Sequence, residues 1–438
     1  MTLPVRNKGW TVVMAGLGVN LALGVLYAWS IFKGEITASI KAGGPFAWDP
    51  ASVNDPYAIC CLVFAFVMIF AGKAQDRFGP RLIAILGGLL AGAGMIVASQ
   101  TASYAGWVLG FGVLTGAGLG FGYASATPPA LKWFPASKTG LVAGIVVSGF
   151  GLASAYIAPL GKYLIGAYGL GGAMLAFGTA FIFVVGILGL FLVNPPAGYA
   201  PVETKPRAKA ISGEDRSPSE LFRLPAFWAL WTAYFIAAGA GLMVIGNVAG
   251  MAVKSLGEFA FVAVAVMAVG NAGGRLAAGA LSDAIGRKPA LLLILAAQAV
   301  LMFAAIPIVG AQSASPALLV VLAMAIGFNY GANLALFPAF TKDLWGMRHF
   351  GSNYGLVFTA WGVGGFVLSR LSQMLMAATG SYASSFMTAG ALLLAGILLV
   401  WLGLSTARRS SGTAEIAGDG LALSFASQKT LTRENQGG

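Results

Sequence analysis

Charge is scarce in this sequence. Only 9% of its 438 residues are Asp, Glu, Lys or Arg, where a soluble domain carries about 25%. Apolar residues make up 58%, and mean hydropathy is +0.83. No aqueous core hides that much apolar surface, which excludes a soluble enzyme, a nucleic-acid-binding domain and a disordered scaffold. Histidine occurs once, as His349, and cysteine twice, as the adjacent Cys60 and Cys61. Neighbouring cysteines inside one apolar run build neither a disulfide framework nor a metal site. No metal and no cofactor is therefore expected. The 14 acidic residues all avoid the middle of the apolar runs. Without mid-run carboxylates, and with a single loop histidine, an intramembrane protease or Ser–His enzyme is excluded as well.

What the chain does have is long charge-free runs: Trp10–Phe32, Leu82–Leu131, Thr139–Gly161, Tyr163–Val202, Leu224–Val253 and Pro289–Thr341. A membrane crossing needs about 20 apolar residues. The pattern predicts an all-α integral membrane protein with twelve transmembrane helices, near 10–31, 54–73, 81–100, 104–131, 138–161, 168–193, 225–252, 257–280, 289–310, 316–341, 351–378 and 380–405. Arg6 and Lys8 precede a run too long for a signal-peptide core, so the first helix is expected to be retained. With the N-terminus inside, cytoplasmic ends and loops hold 18 Lys and Arg. Lys33, Lys41, Lys162 and Lys254 fall outside. That asymmetry places both termini in the cytoplasm and explains the net charge of +12 as topology, without nucleic acid.

The spans divide six and six. The expected units are a half at 1–193, a cytoplasmic linker at 194–224, a second half at 225–405 and a tail at 406–438. The halves echo each other. Gly72-Lys-Ala-Gln-Asp76-Arg-Phe-Gly79 follows span 2, and Gly279-Ala-Leu-Ser-Asp283-Ala-Ile-Gly286 follows span 8, offset by 207 residues. Same-sense duplication of a six-helix unit is how one class of secondary transporter is built, with its substrate site at the midplane between halves.

Arg275 is the sharpest single feature. An arginine well inside a span costs roughly 2.5–3.5 kcal/mol on insertion scales, and it keeps its charge. Its planar fork suits a carboxylate. Asn271 lies one turn earlier, about 40° around the helix, so the two form one polar patch. A structural arginine snorkelling to the cytoplasm is the alternative. Arg370 lies near the outer end of span 11 and reads as a structural or gating residue rather than a ligand. Asn329, Tyr330 and Asn333 cluster on span 10, and Tyr27 sits on span 1. Their polar groups either line a pocket or bond between helices. In the pocket reading the rings pack on a small aliphatic tail and the hydroxyls reach its carboxylate, with Trp361 as a cap.

The two Gly-x3-Asp-x2-Gly loops resemble the signature of the major facilitator superfamily. Lys132-Trp-Phe-Pro135, Gly327-Phe-Asn-Tyr-Gly331, Leu336-Phe-Pro338 and Asn353-Tyr-Gly355 are similar to the branch holding the oxalate:formate antiporters and monocarboxylate transporters. The resemblance implies the major facilitator fold and a span 8 arginine, matched by Arg275, that binds the substrate carboxylate. It maps pocket rings onto Tyr27, Tyr123, Phe150 and Tyr330. The exchanger's second cation, a span 11 lysine, falls on Trp361 here, which favours a monoanion. The aspartate linked to proton coupling falls on Asn271. The resemblance also makes Asp76, Arg77, Asp283 and Arg287 candidate inner-gate residues.

The expected function is a secondary active transporter of a small lactate- or pyruvate-like monocarboxylate, working by alternating access as a monomer in the cell's inner (plasma) membrane, with a proton as candidate co-substrate. An oxalate:formate-type exchanger, and a non-transporting receptor for an organic acid, are the alternatives.

Overall fold

The computed structural model describes residues 7–135, 138–196, 198–199, 215–310, 315–346 and 349–404. Residues 200–214 of the linker and the 406–438 tail lie outside the described residues. Eleven long apolar helical stretches are present among them, and the longest is two helices broken at Gly169 (φ 71°, ψ 174°), which makes twelve. In chain order they are α1 (Gly9–Lys41), α2 (Asp55–Phe78), α3 (Pro80–Ser99), α4 (Tyr104–Lys132), α5 (139–168) and α6 (170–189). Then come α7 (Pro225–Ile245, resuming as Val248–Leu256), α8 (Phe261–Ile285), α9 (Arg287–Gly310), α10 (Pro316–Trp345), α11 (Phe350–Thr379) and α12 (Ala383–Leu404). The twelve expected spans are all found.

The ends of two spans differ most from expectation. α1 continues to Lys41, so Lys33 belongs to a helix and is buried there rather than lying in an outer loop. α5 continues through the expected loop at 162–167, where Lys162 pairs with Glu35 at 3.6 Å. In both places the apolar run stops before the helix does. Polar residues end a hydropathy signal without breaking backbone hydrogen bonds.

The repeated loop motif repeats in backbone geometry. Gly79 ends α2 at φ 83°, ψ 158°, and Gly286 ends α8 at φ 91°, ψ 157°. Each N–H closes the last turn, on the Gln75 and Ser282 carbonyls. A residue with a Cβ rarely adopts this conformation, so the two glycines make the same turn at the same place.

Helices in lipid gain little from hydrophobic burial against one another and rely on close packing at small residues. The tightest seam joins α8 to α10. A Cβ at Gly274 would lie 1.8 Å from the Phe328 carbonyl, and one at Gly331 would lie 1.9 Å from the Asn271 carbonyl. This backbone contact fixes the rotation of α8 and hence where Asn271 and Arg275 point. α5 packs on α1 and on α8, and α2 packs on α11. Arg275 therefore sits where helices from the first 189 residues meet helices from residue 225 onward.

Candidate functional site

Arg275 is 3% exposed. Its Nε donates to Asn271 Oδ1 at 3.0 Å and its Nη1 to the Val147 carbonyl of α5 at 2.7 Å. Nη2 reaches the Tyr27 hydroxyl at 3.5 Å, the limit of a hydrogen bond. These partners are all neutral. They satisfy donors without cancelling the charge. Three of its five N–H donors make these bonds, one of them weakly, and the Tyr123 hydroxyl also lies within reach of the guanidinium.

The Tyr27 hydroxyl lies 2.9 Å from the Tyr330 hydroxyl, which accepts from Trp361 Nε1 at 2.7 Å. A chain of polar groups thus runs Arg275, Tyr27, Tyr330, Trp361, from α8 through α1 and α10 to α11. Both ends are donors only, since neither a guanidinium nor an indole accepts. Two hydroxyls between two donors hold two O–H protons but share one bond. One O–H is left with no acceptor among the described groups. The same corner therefore holds an uncancelled positive charge and an unspent hydroxyl donor. Both call for an acceptor carrying negative charge.

Rings enclose this chain. Tyr27 meets Phe150 edge-on at 5.2 Å and Tyr330 at 5.8 Å. Tyr123 meets Phe150 at 5.4 Å. Two phenylalanines not singled out in the sequence complete the cluster. Phe64 of α2 lies 5.5 Å from Tyr123, 5.6 Å from Phe150 and 5.1 Å from Trp361, and Phe358 of α11 stacks on Trp361 at 4.9 Å. Nothing in their apolar spans marks them. Tyr27 stands on a tightened turn, Gly24–Ala28, where a Cβ at Gly24 would strike the Phe150 carbonyl at 2.6 Å. That close approach of α1 to α5 brings the Tyr27 ring to Phe150.

The structure thus brings together Arg275, Asn271, Tyr27, Tyr123, Phe150, Tyr330 and Trp361. It does not bring Asn329 and Asn333 to them. Asn333 Nδ2 donates to Gln298 Oε1 at 2.8 Å, and Asn329 Nδ2 to the Ile294 carbonyl at 2.9 Å, both on α9. Gln298 in turn donates to the Ala237 carbonyl of α7 at 2.9 Å. These amides bond helix to helix, which is the other outcome open to polar groups at this depth.

Of the gate candidates, Asp76 stands 4.0 Å from Lys132 of α4 and accepts from Gln75 Nε2 at 3.0 Å. Arg77 lies over the ring of Phe78. Arg287 Nε pairs with Asp343 of α10 at 3.0 Å, and the side chain of Asp283 lies outside the described residues. The Asp76 and Arg287 ion pairs join helices on one side of the interface and do not bridge it. Bridges occur at the other end of the bundle. Arg370 of α11 pairs with the buried Asp55 carboxylate of α2, whose other oxygen accepts from the Tyr104 hydroxyl at 2.8 Å. Lys33 of α1 donates to Asn247 at the bend of α7 and to Gln373 of α11, the latter at 2.7 Å.

The comparisons with known proteins agree with this architecture. The oxalate:formate antiporter of Oxalobacter formigenes is 29% identical over 81% of this chain and 81% of its own length. Monocarboxylate transporter 13 of Bos taurus is 29% identical over 90% of this chain and 88% of its own. A crystal structure of a bacterial homologue of the human lysosomal transporter Spinster, inward-facing and unoccupied, shares the fold, with a TM-score of 0.65 at 17% identity over 93% of this chain and 99% of that one. The family model described as Major Facilitator Superfamily matches residues 9–369 and 249–433. With twelve apolar helices, a recurring Gly-x3-Asp-x2-Gly turn and that match across most of its length, the chain is a multi-pass membrane carrier, not an enzyme, and belongs to the major facilitator superfamily.

Proposed function

We propose that this carrier moves a small lactate- or pyruvate-like monocarboxylate, with Arg275 as the carboxylate ligand. One observation carries the reading. Arg275 is buried, permanently charged and bonded only to neutral acceptors, beside a hydroxyl pair with one unspent donor. A carboxylate supplies the missing charge and the missing acceptor together. It takes N–H groups of the fork that Asn271 and Val147 do not engage and the spare Tyr27 or Tyr330 hydroxyl, while Phe64, Tyr123, Phe150 and Trp361 pack on the short carbon tail.

Charge balance favours a monoanion. A dicarboxylate needs a second cation, or it buries one unpaired charge. Trp361 offers none, and Arg370 already pairs with Asp55. Two relatives support the class, one named for oxalate and formate and one for monocarboxylates. The proposed cycle rocks the 1–193 and 225–405 units about the α2–α11 and α5–α8 contacts, in a monomer in the plasma membrane with both termini cytoplasmic. A proton accompanies the acid, carried by the substrate carboxylate or by water near Arg275, because no acidic residue sits at mid-span to carry it.

The test is thermal protection of the purified protein by pyruvate, lactate and oxalate, followed by uptake into proteoliposomes. Pyruvate is expected to raise the unfolding midpoint, and Arg275→Gln to weaken its binding about 100-fold, the loss of roughly 3 kcal/mol of charge-assisted bonds. Equal protection in Arg275→Gln removes Arg275 as the ligand. Tighter binding of oxalate than pyruvate selects the exchanger instead. Binding without saturable uptake selects a receptor. Uptake that leaves vesicle pH unchanged removes the proton.

A further inference from the structure

Arg275 reaches across the interface to a backbone carbonyl, and α5 exposes that carbonyl because of the residue one turn later. Helical side chains lean toward the N-terminus and cover the turn before their own Cα. A side chain at position 151 would therefore lie over the carbonyl of Val147. Position 151 is glycine, and it is buried. A Cβ placed there would stand 3.1 Å from Asn271 Oδ1 and 3.2 Å from Arg275 Nε, inside ordinary van der Waals distance. Those two atoms cannot yield separately. They are bonded to each other at 3.0 Å, and the same guanidinium is bonded to Val147 at 2.7 Å.

We propose that Gly151 is the positioning residue for Arg275: by lacking a side chain it uncovers the Val147 carbonyl and seats the guanidinium edge against α5, aimed at the Tyr27 and Tyr330 hydroxyls. The inference rests on the reading of Arg275 as the carboxylate ligand. Gly151 touches no substrate. It sets where the fork stands, and displacement of a positioning group by well under 1 Å is felt in affinity. Gly166 supplies the contrast. It lies on the same helix, and a Cβ there would meet nothing within 4 Å.

The two roles of a glycine separate by sign. Alanine is the better helix former, so an added methyl stabilises α5 unless something stands in its way. The experiment uses the full chain in detergent, with unfolding midpoints measured against pyruvate concentration and with methyl pyruvate as the uncharged control. Gly151→Ala is expected to unfold, without ligand, close to the wild-type temperature, the helix-forming gain of alanine offsetting the shift of two side-chain ends, and to bind pyruvate about tenfold more weakly. Gly166→Ala is expected to keep wild-type affinity. Pyruvate affinity within twofold of wild type in Gly151→Ala overturns the proposal. So does a loss of affinity matched by a fall in the unliganded midpoint, which marks a packing defect. Should Gly151→Ala not purify, the double variant with Asn271→Ala removes two of the three atoms nearest the new methyl and leaves Arg275 Nε and the Val147 carbonyl against it. It is expected to bind pyruvate more weakly than Asn271→Ala alone, and equal binding by the two overturns the proposal. A wild-type protein that pyruvate does not protect overturns the carboxylate reading and this one with it. Retained protection in Gly151→Ala overturns this one only.

Discussion

Tyr27 is where charge, hydrogen bonding and ring packing meet, so one atom removed from it tests the polar chain. Tyr27→Phe keeps the edge contacts with Phe150 and Tyr330 and deletes the hydroxyl shared by Arg275 and Tyr330. Pyruvate affinity measured by calorimetry is expected to fall about tenfold, about 1.4 kcal/mol, the scale of one bond to a charged group. An unchanged affinity would place the spare donor elsewhere. At this scale the sequence is informative where chemistry is rare. Arg275 stands out because no acidic residue lies at mid-span, a fact of composition that needs no coordinates. Asn329 and Asn333 mislead for the same reason. An amide inside a span needs a partner, but which neighbour supplies it depends on helix rotation, and here Gln298 and the Ile294 carbonyl of α9 do so. Phe64, Phe358 and Gly151 carry no mark at all, because phenylalanine and glycine are ordinary in such spans.

Elements were legible where one physical signal dominates. Hydropathy located all twelve helices, and the repeated loops foretold the matched Gly79 and Gly286 turns. Helix ends were less legible, since backbone bonding carries α1 and α5 past their apolar runs. Helix-to-helix seams were not legible, because they depend on which glycines face one another. That seam makes a sharp prediction. Gly274→Ala puts a methyl 1.8 Å from the Phe328 carbonyl, whereas Gly273→Ala meets nothing closer than 3.8 Å. The first is expected to lower stability by about 3 kcal/mol or to prevent folding, the second to leave it nearly unchanged, read as unfolding midpoints. The short helix Pro218–Leu221 makes a prediction about pH. The Ser217 N–H donates to the Glu220 carboxylate at 2.8 Å, and this bond holds its pKa below the ordinary value. A lowered pKa means that the cap is fully present above the ordinary carboxylate range and is lost as pH falls through the lowered value. The exchange protection factor of the Ser217 amide is expected to hold steady from neutral pH down to that range and to drop below it. In Glu220→Gln it should not vary with pH.

At the scale of the whole molecule, alternating access needs an end that closes and can reopen. The described cross-interface polar contacts away from the site gather at one end. They are Arg370 with Asp55, the Tyr57 hydroxyl on the Leu242 carbonyl at 3.0 Å, Gln373 Nε2 on the Pro50 carbonyl at 3.0 Å, and Lys33 with Asn247 and Gln373, reinforced by the Tyr382 hydroxyl on Asn247 at 3.2 Å. Their weights differ. Arg370 is 44% exposed, so its ion pair is screened and contributes little alone. Lys33 is 8% exposed, and its partners are neutral amide oxygens. Its ammonium regains full hydration only when this end parts. The amide contacts hold the end shut, while the buried charge favours opening. Which effect wins decides the sign of a substitution. Lys33→Met removes the charge and keeps an unbranched apolar chain, leaving Asn247 Oδ1 to the Tyr382 hydroxyl and taking from Gln373 Oε1 the one donor described for it. If the contacts dominate, the end loosens; if the charge dominates, it tightens. The ammonium engages two helices of the opposite group at once, so the contacts are expected to dominate. Spin labels at Lys41 and Thr379, both exposed at the ends of α1 and α11, report the separation directly. In Lys33→Met the distance distribution is expected to gain a longer component, and adding Arg370→Gln is expected to enlarge it slightly. A shift toward shorter distances would show that the buried ammonium was pushing this end apart.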